Sequence, residues 1–411
     1  MKKILFFSLI FIFSCNIEEN KKHINIKADK IPHINIYHKD TVVDNYHWMR
    51  LSDSQKESKN PDDQTKNVLN YLESENNYLK NKMLDTESFQ TALFDEFVSR
   101  IEQVDESVPF SFNGYTYYTK YSKGDDYSKH YRKRNVANAK EELMLDLPEM
   151  AKDFNYFALG DKSVSEDNNL LAYSIDVLSR RDYTIFLKDL TTGEILEDKI
   201  PNTTGSITWA NDNKTFFYTK KDKITLRSNK IYKHIVGTNS SEDVLVYEEK
   251  DETFGCFIYK TKSRKYLMIG SYQTLSNEYQ FLDANTPDGQ WQIINKREKD
   301  LKYSVSHFGD KFYIKTNWNA KNFRLMETPV NLTTKNNWKE VIPHREDVLL
   351  RSIDVFKNYL VVNERSDGLR KTRVINWSDN SEYYISFNDP TYSLYSSTNL
   401  EFDTDLFRFV Y

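Results

Sequence analysis

The chain has 411 residues, with 57 Lys and Arg set against 61 Asp and Glu for a formal charge of -4. So even a balance gives no electrostatic reason to expect a nucleic-acid partner, and a soluble protein is the default. With Tyr 28 and Phe 25 it is rich in the aromatic residues that strands favour, while Gly 11 is low for this length.

Residues 1–15 (MKKILFFSLIFIFSC) place two lysines before an apolar run from Ile4 to Phe13, closed by Ser14 and Cys15. The run is too short for a transmembrane helix but fits the apolar region of an export signal. A small residue followed by Cys resembles a bacterial lipoprotein signal. Cys15 is then the expected lipid attachment site, and the cell envelope, as periplasm or as membrane-anchored lipoprotein, the expected location. A plain secretory signal, or a hydrophobic N-terminus with an incidental cysteine, is the competing reading. Residues 16–30 are polar and read as a tether. With Cys15 acylated, Cys256 has no internal disulfide partner; it lies in the apolar run Phe254 to Tyr259 and reads as a small buried hydrophobe.

Residues 31–107 form the next segment. After Asp44-Asn45-Tyr46-His47-Trp48-Met49-Arg50 and a polar gap at 52–63, the spacing predicts a helix over 65–84, with Val68, Leu72, Leu79 and Met83 on one face and Asp62 or Asp63 as cap. A second helix is predicted from Ser88, where Phe89, Leu93, Phe97 and Ile101 recur every four residues. Two such helices cannot cover their own apolar faces.

From residue 108 the pattern changes to strands. Val108 to Arg134 alternates around Asn113-Gly114 and Gly124-Asp125-Asp126, which predicts a three-stranded meander. A short aromatic strand after a turn then recurs at Gly114-Tyr118, Leu170-Tyr173, Thr215-Tyr218, Lys265-Met268, Lys311-Ile314, Asn358-Val361 and Leu406-Phe409. The period of roughly 45 to 55 residues is that of four-stranded propeller blades. The expected fold is therefore all-β: a seven-bladed β-propeller over 108–411, preceded by the short α-helical segment, with no helix longer than two turns beyond residue 160. A pair of β-sandwiches, or a six-bladed ring with an irregular end, also fits the spacing.

The chemistry is notable for what the sequence lacks. A serine hydrolase of α/β type needs Gly-x-Ser-x-Gly, because its nucleophile sits on a strained turn that only small neighbours permit, and no such motif occurs. Nor is there a phosphate loop, a Cys-x-x-Cys or a His-Glu-x-x-His, so no cofactor or metal is expected and no catalytic residue is assigned. His33 and His38 are five apart in a loop-like stretch, a poor metal spacing. His130, between Tyr127 and Tyr131, reads as structural. The pairs Glu248-Glu249 and Asp125-Asp126 read as solvated turns rather than glycosidase carboxylates, and Lys220-Lys221 and Arg180-Arg181 as solvent-facing turns.

Several ordered motifs carry a family resemblance. Residues 44–50, with Tyr71-Leu72-Glu73-Ser74-Glu75-Asn76, resemble the N-terminal region of the prolyl oligopeptidase family of serine peptidases. Arg100-Ile101, Asp105-Glu106-Ser107-Val108-Pro109 and Gly114-Tyr115-Thr116-Tyr117-Tyr118 are similar to its oligopeptidase B (protease II) branch. So are Leu171-Ala172-Tyr173-Ser174, Trp209-Ala210-Asn211-Asp212, His234 with Gly237-Thr238, and Val246-Tyr247-Glu248-Glu249. The resemblance covers residues 35–290 strongly and the remainder weakly. It implies a seven-bladed propeller capping an α/β-hydrolase domain, with residues 31–107 packing on that domain. The hydrolase part, with its Ser, Asp and His, is expected after Tyr411 and is missing from this sequence, so no catalytic residue of the family transfers. The expected function is the substrate-gating portion of an oligopeptidase B-like peptidase acting on short peptides, inactive alone. A separately encoded hydrolase domain and, through the lipid, the membrane are its expected partners. The alternative is a free-standing propeller lipoprotein that binds a peptide, a glycan or a protein.

Overall fold

A computed structural model describes residues 26–411. The signal, Cys15 and most of the tether lie outside the described residues. The chain divides into two compact units, one ending at Glu102 and one spanning Gln103–Tyr411.

The first unit opens on a hairpin that the sequence reading did not anticipate: His33–Tyr37 pairs with Asp40–Asp44. Its turn residues His38 and Lys39 both have positive φ, as a type I′ hairpin turn requires, and neither is the Gly or Asn that announces one. A short helix, Asp53–Lys56, lies in the predicted polar gap, started by a capping box between Ser52 and Gln55. The two predicted helices follow as Asp63–Met83 and Glu87–Ser99. Asp62 caps the first, its carboxylate accepting from the Thr65 amide at 2.8 Å. Val68 is buried, but Leu72, Leu79, Phe89, Phe94 and Phe97 are exposed.

The second unit is a β-propeller of seven antiparallel sheets in chain order. Blades two to six, at residues 158–203, 207–248, 255–295, 303–342 and 349–384, are four-stranded meanders. The first blade spans residues 105–146. Its innermost strand is broken: Asp105–Glu106 and Phe110–Phe112 both pair with Tyr115–Tyr121, and the gap falls at Pro109, which has no N–H to give the ladder. In the seventh, Tyr395–Ser396 pairs with Phe409–Val410. The predicted strand at 406–409 is thus formed only at its end.

The six other repeated aromatic segments are the second strands of blades one to six. A second strand lies inside its sheet and is covered on both faces by neighbouring blades, which makes it a continuous apolar run. Thr215–Lys221 and Tyr266–Tyr272 are buried over most of their length.

The core is divided between the blades. One cluster joins blades one and two around Tyr117, Met144, Leu171 and Tyr173, and another joins two and three around Ile185, Trp209 and Phe216. Further clusters join three to four, four to five and five to six. Side chains also bond to the backbone of a neighbouring blade, as when the Trp209 indole donates to Ser163 O at 2.9 Å and the Tyr259 hydroxyl to Val305 O at 2.8 Å. The ring closes differently. Arg408 of the seventh blade donates to the carbonyls of Val108 and Pro109, and Glu401 accepts from the Asn113 amide at 2.9 Å.

Candidate functional site

Two buried polar clusters join neighbouring blades. His234 on the third blade is fully buried, with Nε2 2.9 Å from Asp198 on the second and Nδ1 2.7 Å from Asp243. Asp198 also accepts from the Gly237 amide, and Asp243 from the Tyr218 hydroxyl at 2.7 Å. Burial alone pulls the His234 imidazole down, but the two carboxylates outweigh it and hold its pKa at about 9. In the second cluster, Glu249 is buried against Arg297 of the fourth blade at 2.7 Å, with Ser271 and Tyr247 completing its shell. This corrects the reading of Glu248-Glu249 as a solvated pair. Alternation sends only Glu248 outward, where it lies 3.4 Å from Lys230.

The turns joining first to second strands form a third feature. They gather at one end of the propeller axis, because their side chains bond between blades that are not neighbours. Arg264 of the fourth blade donates to Asn113 Oδ1 of the first at 2.9 Å, Lys260 of the fourth pairs with Glu166 of the second, and Lys262 of the fourth pairs with Asp354 of the sixth. Such bonds exist only where the blades converge. Burial pulls the Lys262 amine below its usual range and pushes the Asp354 carboxyl above its own, each opposed by the other's charge. At the same end Ser263 lies 2.7 Å from His307 Nδ1. Burial takes that imidazole down to about 4, its Nε2 has no hydrogen-bond partner, and no carboxylate backs it. The pair is a positioned turn rather than a nucleophile with its base.

The remaining candidates are dispersed. His130 is buried 3.4 Å from Ser128, and burial holds its pKa near 4, which suits a neutral structural imidazole. Cys256 is buried and its thiol pushed up to about 12. His33 stacks on His47 at 3.7 Å. Arg180 and Arg181 donate their amides to Asp176, and Lys220 covers the rings of Tyr218 and Tyr232. Lys262-Ser263-Arg264 is the polar turn before the repeated strand at Lys265-Met268, and nothing in its composition marks it as more. Its one signal is positional, an Arg at a turn position that other blades give to Asn or Gly.

Residues 27–411 match the family model described as the prolyl oligopeptidase N-terminal β-propeller domain. The chain belongs to the prolyl oligopeptidase family. It is 36% identical over 384 residues to dipeptidyl aminopeptidase BI of Pseudoxanthomonas mexicana, covering 90% of this chain and 52% of that protein. It is 30% identical over 390 residues to protease 2 of Moraxella lacunata, covering 92% of this chain and 54% of that protein. Among solved structures, oligopeptidase B from Leishmania major superimposes with a TM-score of 0.85 at 28% identity, over 93% of this chain and 56% of that one. The chain thus spans about half the length of the curated relatives it matches.

Proposed function

We propose that this chain is the N-terminal and propeller portion of an oligopeptidase B-like serine peptidase that hydrolyses short peptides, with the propeller gating their access. The observation that carries the proposal is the uncovered apolar stripe of the helical unit, where Phe89, Phe94 and Phe97 are 67%, 65% and 56% exposed. A stripe of that kind needs a further packed layer, and a hydrolase domain, continuous or separately encoded, is the layer the family resemblance supplies. Acyl transfer requires a nucleophilic Ser, a His base and an oxyanion hole. No such set comes together among the described residues, so the chain alone has no peptidase activity. Incubating the purified chain with a fluorophosphonate probe and a dibasic peptide tests this. Neither labelling nor cleavage is expected, and a labelled serine with peptide turnover would overturn the proposal.

We further propose export and lipidation at Cys15, supported by the sequence MKKILFFSLIFIFSC. Metabolic labelling with a fatty acid should mark the chain and be lost in Cys15→Ala. Labelling that persists in the variant refutes it.

A further inference from the structure

Five of the turns between first and second strands contain left-handed backbone. Four use Asn113 with Gly114, Asn168, Asn213 and Gly309, the residue types that adopt positive φ at least cost. The fourth blade places Arg264 there, at φ 62. A long side chain on strained backbone persists only where its surroundings over-determine it.

Those surroundings lie across the propeller axis. The Arg264 guanidinium pairs with Glu166, donates to Asn113 Oδ1 at 2.9 Å and lies 5.4 Å from the centre of the Phe112 ring. Its carbonyl accepts from Asn211 Nδ2 at 3.0 Å. Lys260 shares Glu166 and reaches Asn211 Oδ1 at 3.1 Å. Lys262 pairs with Asp354, its amine 3.8 Å above the centre of the Phe356 ring. With Ser263 on His307, four residues within the stretch 260–264 touch blades one, two, three, five and six. Asn113 carries the network to Glu401 of the seventh. The fourth blade stands three places from the first in a ring of seven, so a direct bond between them crosses the opening.

We propose that the 260–264 turn is a plug that closes this mouth of the propeller channel, held in place by the Glu166 and Asp354 carboxylates. The closed mouth is opposite the end where residue 105 starts the first blade, because the strand running from 105 to 112 ends at the plugged turns. A molecule entering the channel must use the other end or lift the plug, which means separating three partly buried cations from two carboxylates. The plug stands on this geometry alone. Its use in admitting peptides rests on the peptidase reading.

Amine footprinting of the folded chain tests the plug. Burial pulls Lys260 down to about 8 and Lys262 below its usual range. Amines so depressed would acylate faster than surface lysines if reagent could reach them. With acetyl N-hydroxysuccinimide ester and peptide mass spectrometry, Lys260 and Lys262 are expected to react about tenfold more slowly than exposed Lys223 and Lys265, because both are enclosed and paired. Asp354→Asn should release Lys262 alone, and Glu166→Gln should release Lys260 alone, selectivity that unfolding would not produce. In the wild type, about 1 M salt, where the Debye length is about 3 Å, should speed both while leaving Lys223 unchanged. Reaction of Lys260 and Lys262 at or above the Lys223 rate in the wild type overturns the plug. Release of both lysines by either single substitution also overturns it. A plug refuted in this way leaves the peptidase reading to its own serine-probe experiment.

Discussion

The buried His234 lock makes a quantitative prediction about pH. A proton held at about 9 rather than the ordinary 6.5 is bound more tightly by about 3 kcal/mol, at about 1.4 kcal/mol per pH unit, and relaxation around a buried pair trims this to about 2. The folded-state pKa is raised, so the contribution is complete below about pH 6.5 and is lost as pH rises through 9. Asp198 acts in the opposite sense. Burial pushes its carboxyl up, but His234 and the Gly237 amide hold it below the usual range, so its contribution is lost as the solution becomes strongly acidic. The perturbation is His234→Gln, which keeps a polar side chain but cannot carry the charge between Asp198 and Asp243. Urea midpoints for wild type and variant at pH 6, 7.5 and 9.5, values that bracket the ordinary and raised pKa, separate this site from titrations elsewhere in the chain. The stability gap should be largest at the lowest pH and shrink by about 2 kcal/mol across the series. A gap constant with pH would refute the reasoning, since it would mean that His234 carries no bound proton that matters to folding.

Three further outcomes are expected. Arg297→Ala leaves Glu249 buried without its cation and should lower stability by about 3 kcal/mol, read as a shift of the urea midpoint. Gly270→Ala puts a methyl group 2.3 Å from the Phe257 ring, deep between blades, and should cost about 1 to 3 kcal/mol in the same assay. Replacing Phe89, Phe94 and Phe97 together by Ser should change stability by only about 0.5 kcal/mol per site, because these rings are already exposed, while sharply reducing the binding of a hydrophobic dye.

The parts of this fold that the sequence revealed are those whose cause is local. The second strands of the blades stand out because both their faces are buried, so Thr215–Lys221 and Tyr266–Tyr272 carry large apolar residues without alternation. The helices at 63–83 and 87–99 were legible from their spacing, and the first from its Asp62 cap. The hairpin at 33–44 was not, because His38 and Lys39 adopt a turn conformation that neither residue signals. The polar clusters were hidden for a different reason. Glu249 and Arg297 are 48 residues apart, and Asn113 and Arg264 are 151 apart, so nothing in their immediate neighbours distinguishes them from surface charges. The first pair meets only when the fourth blade folds, and the second only when the ring brings the first and fourth blades together.

The proposal that this chain is the front portion of a serine peptidase is tested most directly by the nucleotide sequence downstream of codon 411, read in all three frames. A hydrolase domain is expected there, with Gly-x-Ser-x-Gly followed by Asp and then His. Downstream sequence that encodes no such domain in any frame, in a genome with no separate gene for one, would contradict the proposal and leave a propeller whose exposed helical stripe must be covered by another partner.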